Sequence, residues 1–152
     1  RNGDIDFATV YLNRVLGLAE TSTARFRFDS AKLLLGTLGA ILEGEIYRVS
    51  GDTEKAIASF ERAVSLEDDL EYSEPEPLPF AARHWLGAAL LETGRFTDAE
   101  RIYREELVDH PRNGWSLYGL NKALTSQGTA ALKEDFEESW RRSDTLLRAS
   151  RF

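Results

Sequence analysis

Apolar side chains recur along this chain at intervals of three and four residues. Leu86 and Leu90 stand one helical turn apart, as do Leu120 and Leu124, and Ala56, Phe60 and Ala63 form a further run. That spacing puts each set on one face of an α-helix. Towards the end of the chain Leu132, Phe136, Trp140 and Leu147 form a stripe. Glu134, Glu137, Glu138, Arg141, Arg142 and Arg148 occupy the other faces, which predicts one amphipathic helix over residues 130–149. Residues 6–18 and 30–50 also read as helices. The four prolines, Pro75, Pro77, Pro79 and Pro111, fall outside these segments, which are rich in Ala, Leu, Glu and Arg. Alternating β-branched runs are absent, so the predicted fold class is all-α.

The helical pattern repeats. "GEIYRVSGDTEKAIASFERAVSL" from Gly44 and "GAALLETGRFTDAERIYREELVD" from Gly87 align with Gly44 on Gly87, Gly51 on Gly94, Ala56 on Ala99 and Phe60 on Tyr103. The offset is 43 residues, and a later copy comes at an offset of 34, with Gly94 stepping to Gly128 and Leu86 to Leu120. A 34-residue unit with a nine-residue insertion at "EYSEPEPLP" accounts for both offsets. Each copy reads as two antiparallel helices. Gly51 and Gly94 close the first helices, Asp52-Thr53 and Thr97-Asp98 cap the second ones, and Gly44 and Gly87 sit mid-helix for a close approach to Ala56 and Ala99. In the third copy Asn121 replaces the small residue.

These positions resemble the tetratricopeptide repeat. Gly44, Tyr47, Gly51, Ala56, Phe60 and Ala63 match its motif in one copy, and Leu86, Gly87, Gly94, Phe96, Ala99, Tyr103 and Pro111 in the next. Leu90 departs from it at the first-helix aromatic and Glu106 at the late small residue. The later segments "LGAALLETGRF" and "NGWSLYGL" are also similar to bacterial members of the family without an assigned activity. The resemblance implies a single domain of stacked hairpins in a short right-handed superhelix: an N-terminal helical segment at 1–36, repeats at 37–70 and 80–113, the Pro-rich insertion at 71–79, and a degenerate repeat with a capping helix at 114–152. It further implies a protein-interaction scaffold whose first helices line a concave groove for a peptide or partner protein. The groove residues expected on this basis are Ile41, Glu45, Arg48, His84, Leu91, Glu92, Trp115, Tyr118 and Lys122. Some family members grip an acidic peptide C-terminus with lysines and asparagines. Here Ile41, Glu45, His84 and Ala88 hold those positions, which argues against that activity.

Composition narrows the chemistry. The 152 residues carry a net charge of −7, which disfavours nucleic acid and anionic membranes as partners. No apolar run approaches the span of a bilayer. Cysteine is absent, which removes disulfides and thiolate chemistry and leaves the compartment open. The two histidines, His84 and His110, sit in no metal-binding or nucleophile motif, so neither a cofactor, a metal site nor enzymatic activity is expected. The acidic run Glu67-Asp68-Asp69-Glu71 reads as a solvated helix end. Two alternatives remain at this level. One is a small-ligand or enzymatic pocket capped by the Pro-rich loop, with Glu74, Glu76, Arg83 and His84 as its groups. The other is self-association into a homodimer through exposed repeat ends or the N-terminal helices.

Overall fold

The computed structural model describes residues 4–151. Among these are seven α-helices and one two-stranded ribbon, arranged in two compact units, Arg1–Ala82 and Arg83–Phe152. The division falls just past the Pro-rich segment, where three prolines in five residues rule out helix.

The first unit contains α1 (Ile5–Thr21), the antiparallel ribbon β1 (Arg25–Phe26) and β2 (Asp29–Ser30), then α2 (Ala31–Val49) and α3 (Thr53–Asp68). Asp4 and Ser30 start α1 and α2 by accepting the backbone N–H of Phe7 and Leu33. The ribbon is a departure from the all-helical reading. Its two-residue strands are too short for any alternation to register in the sequence, and Arg27 turns it at a φ of 55°. α2 and α3 run antiparallel, and their contact is made by a ring lying on a glycine. A methyl group on Gly44 would fall 2.3 Å from Phe60 Cε1. The expected mate, Ala56, is buried but does not supply this contact; the ring of Phe60 does. Glu43 adds a polar link, accepting from Ser59 Oγ at 2.7 Å and Arg62 Nη2 at 2.8 Å. α1 packs on α2 in the same manner, with Leu16 Cδ2 2.7 Å from where a Gly39 methyl would stand.

The Pro-rich segment packs against the ribbon of its own unit. Arg27 Nη1 donates to the carbonyls of Glu74 at 2.9 Å and Pro75 at 3.2 Å, and Glu71 N donates to Asp29 Oδ1 at 2.9 Å. Glu67 is not a solvated helix end. Its Oε2 accepts the N–H of Ala82, in the same unit, at 2.8 Å.

The second unit comprises α4 (Ala82–Glu92), which begins on the last residue of the first, then α5 (Phe96–Asp109), α6 (Gly114–Ser126) and α7 (Lys133–Trp140). Tyr103 on α5 is fully buried and lies against glycines of both neighbours. Added methyls would fall 2.4 Å from its ring at Gly87 on α4 and 2.2 Å at Gly119 on α6. Here too the ring, and not Ala99, is the glycine's partner. Trp140 meets Gly114 in the same way at 2.3 Å. Asn121 explains its departure from the repeat: its side-chain amide accepts from Leu132 N at 2.6 Å and donates to Leu132 O at 3.2 Å, which fixes the chain as it enters α7.

Gly51, Gly94 and Gly128 adopt φ values of 85°, 75° and 73°. Each turn carries the same pair of bonds. Gly51 N donates to Arg48 O and Asp52 N to Tyr47 O; Gly94 and Arg95 bond Leu91 and Leu90, and Gly128 and Thr129 bond Thr125 and Leu124. This closes the last carbonyls of each first helix and delivers the chain into the second. The expected side-chain caps are therefore not used. Asp52 pairs with Lys55, α5 begins at Phe96 after Arg95, Thr97 donates to Gln127 Oε1, and Asp98 pairs with Arg95.

The predicted helix over 130–149 ends at Trp140. Ser143 N donates to Trp140 O and Trp140 Nε1 to Thr145 O, folding the chain off the helix axis. Beyond this turn a non-helical tail buries Leu147, hydrogen-bonds Ser150 to the Tyr103 hydroxyl, and pairs Arg151 with Glu92 at 2.9 Å.

Candidate functional site

In the first unit Ile41, Glu45 and Arg48 succeed one another on α2 at helical spacing. Ile41 is buried, which corrects its placement on an open face; an apolar side chain there gains more from the interior than from solvent. Glu45 and Arg48 are half-buried and joined by a bidentate pair, Arg48 Nη2 to Glu45 Oε2 at 2.8 Å and Nε to Oε1 at 3.0 Å.

In the second unit His84 is only 1% exposed, so it too lies inside and does not line a groove. Its Nε2 stands 3.0 Å from Ser116 Oγ on α6 and 3.9 Å from Glu106 Oε1 on α5, while Nδ1 has no hydrogen-bond partner. Glu106 also takes His110 Nδ1 at 2.7 Å. Burial pushes the Glu106 carboxyl above the usual range, with His110 pulling in the opposite sense. Burial, aided by His110, lowers His84 to about 4. The repeat's departure at Glu106 thus has a polar explanation: a small residue is replaced by a carboxylate facing two imidazoles.

Leu91 is half-buried, and Glu92 is exposed and held by Arg151. Trp115 and Tyr118 are half-covered by α7, with Trp115 edge-on to Trp140 at 5.7 Å and Tyr118 tilted against Phe136 at 5.9 Å. Lys122 is exposed, its ammonium 5.5 Å from the Tyr118 ring centre. Of the nine residues read from the sequence, the second unit gathers only Trp115, Tyr118 and Lys122 into one cluster. The aromatic pair spends much of its surface on α7.

Sequence reading missed an open cavity of about 400 Å³ in the second unit, between the C-terminal half of α5, α6 and the start of α7. Leu107, Val108, Leu117, Leu120 and Leu132 supply its apolar wall. Arg104 and Arg112 stand on the α5 side of its rim, and Asp135 and Glu138 on the α7 side. The available signal was Val108, an apolar residue on the polar side of its helix and 76% exposed. Its meaning depends on where α7 begins and ends. Among the described residues no cluster of three or more His, Asp or Glu could hold a metal ion, and no helix is long and apolar enough to cross a membrane.

The buried histidine makes stability depend on pH. An unfolded His84 takes up a proton near pH 6.5, whereas the folded one does so only near 4. Between these values the unfolded chain binds more protons, so stability falls as pH drops through that window and is flat above it. Glu106 has the opposite sign, because its raised folded pKa gives stability that is lost as pH rises through it. His84→Gln is expected to flatten the acid loss by up to about 1.4 kcal/mol per pH unit, read from urea midpoints between pH 4 and 7. An unchanged slope would exclude His84 as the source.

Antiparallel helix pairs closed by left-handed glycine turns, with an aromatic ring seated on a first-helix glycine, define a helical-repeat protein. Residues 41–70, which span the second half of α2 and all of α3, match the family model of the tetratricopeptide repeat, so this helix pair is one tetratricopeptide repeat. Among curated proteins none matches it. Repeats of this family generally mediate protein–protein interaction.

Proposed function

We propose that this chain is a protein-interaction scaffold without catalytic chemistry, and that it holds a short segment of a partner protein by seating a large apolar side chain in the cavity between α5, α6 and α7. The observation that carries the reading is this cavity on a chain with a tetratricopeptide repeat: an apolar wall with basic groups on one rim and acidic groups on the other. Such a rim suits an apolar anchor flanked by charges of both signs. The net charge of −7 favours a protein over a nucleic acid as partner. Of the groove residues read from the sequence, Glu45 and Arg48 keep part of their surface in the first unit, and Leu91, Glu92 and Lys122 do so in the second. The His84–Ser116–Glu106 group supports no acyl transfer. Ser116 is fully buried, and the carboxylate approaches the same imidazole nitrogen as the hydroxyl, where a nucleophile would need it on the other.

The test is selection of binders from a displayed random-peptide library, with titration of the selected peptides against variants. Val108→Asp is expected to weaken them by about tenfold or more while leaving the far-ultraviolet spectrum intact. Peptides that lose affinity with Arg48→Glu but not with Val108→Asp would move the site to the first-helix face. A library that yields no binder would count against the scaffold itself.

A further inference from the structure

The helix α1 is apolar on two sides. Leu12, Val15, Leu16 and Ala19 face α2, as the contact of Leu16 with Gly39 requires. Phe7, Val10, Tyr11 and Leu18 recur at the same three- and four-residue spacing on the opposite side and are exposed, Phe7 at 60% and Leu18 at 55%. A surface helix ordinarily turns a polar face outward. Gly17 lies in this outward stripe. Glycine inside a helix costs about 1 kcal/mol relative to alanine. The other glycines within helices of the described residues, at 36, 39, 44, 87, 114 and 119, each offset that by admitting a neighbouring side chain, but Gly17 meets nothing within 4 Å.

We propose that α1 is the interface of a symmetric homodimer, in which two copies of the helix cross antiparallel and Phe7 of each copy covers Gly17 of the other. The contact is the ring-on-glycine seat that joins α2 to α3 and α5 to both its neighbours, made between chains. Charge selects the direction. A parallel pair would set Arg14 against its own copy. An antiparallel pair centred near Leu12 sets Arg14 opposite Val10, within one turn of Asp6 in the second copy. Neither Arg14 nor Asp6 has an ion-pair partner among the described residues; Arg14 rests on the Tyr11 ring, 5.7 Å from its centre. The area suits a weak, reversible pair. A large side chain presents about 200 Å², so Phe7, Val10, Tyr11 and Leu18, each about half exposed, offer on the order of 400 Å² per copy. A symmetric pair would then bury on the order of 800 Å², the range of transient rather than permanent association.

Sedimentation equilibrium of the full chain from about 1 µM to about 1 mM is expected to show a monomer–dimer equilibrium. Phe7→Asp should abolish the dimer without changing the helical spectrum, since the side chain is mostly solvated in the monomer. Arg14→Asp should raise the dimer Kd by about tenfold or more, and adding Asp6→Arg to it should restore association. The chain has no cysteine, so single-cysteine variants report direction. Phe7→Cys mixed with Gly17→Cys should form a disulfide-linked dimer, and Phe7→Cys alone should not. A monomer throughout the range, a dimer indifferent to Phe7→Asp, or crosslinking of Phe7→Cys with itself would each overturn the proposal.

Discussion

Tyr103→Ala is expected to destabilise the second unit by about 3–5 kcal/mol. The ring is fully buried, and two helices have given up side chains to accommodate it, Gly87 on one side and Gly119 on the other. Removing it leaves a cavity flanked by two glycines, and neither can fill the space. The hydroxyl contributes separately. It hydrogen-bonds Ser150 in the returning tail, and burial pushes its ionisation well above the normal tyrosine range, so it stays a neutral partner throughout the accessible pH range. Tyr103→Phe should therefore cost only about 1 kcal/mol. The reciprocal change, Gly119→Ala, places a methyl 2.2 Å from a ring that has no free direction to move, so one of α5 and α6 must shift. Because both substitutions act on one contact, Gly119→Ala combined with Tyr103→Ala should be less damaging than the two effects added. All three tryptophans, Trp85, Trp115 and Trp140, belong to this unit, so urea unfolding monitored by tryptophan fluorescence reads it directly. A loss below about 1 kcal/mol for Tyr103→Ala would mean that the ring does not hold these helices together.

The second large effect is Phe60→Ala in the first unit, again about 3–5 kcal/mol. Phe60 is fully buried and its ring rests on Gly44, with three ring atoms between 2.3 and 2.8 Å of where a methyl would stand. Polar links beside it, Glu43 with Ser59 and Arg62, are partly solvated and contribute far less. The first unit has no tryptophan, so the readout is amide hydrogen exchange across α2 and α3. Both helices should lose protection in the variant. Protection that persists near the ring would show that Glu43 and the aliphatic contacts suffice.

The hairpins were legible because their signals are local. A glycine that ends a helix at positive φ announces itself by position, and Gly51, Gly94 and Gly128 repeat at the offsets of the copies. The mid-helix glycines were legible as points of close approach, although the sequence pointed to alanine as the mate; only packing shows that the glycine accommodates a ring. Features set by tertiary structure were not legible. Leu147 continues the spacing of Leu132, Phe136 and Trp140 by coincidence, and the Ser143 turn that ends the helix carries no proline or glycine. The ribbon at Arg25–Ser30 is shorter than any period. His84 looked like a groove residue because it stands three residues before Gly87 in the repeat, yet it lies inside with Ser116 and Glu106 as polar neighbours. The cavity beside Val108 belongs to the spacing of three helices, which no single segment encodes.

The glycine seats have a consequence for register. A hairpin joined by interchangeable aliphatic side chains can slide by one helical turn, about 5.4 Å, and lose little. Sliding α3 along α2 by a turn would bring Phe60 to Ala40 or Arg48, and sliding α5 along α4 would bring Tyr103 to Arg83 or Leu91. Each of these carries a β-carbon where the ring must lie. Misaligned pairings are thereby excluded sterically, and each helix pair is left with a single alignment set by one missing side chain.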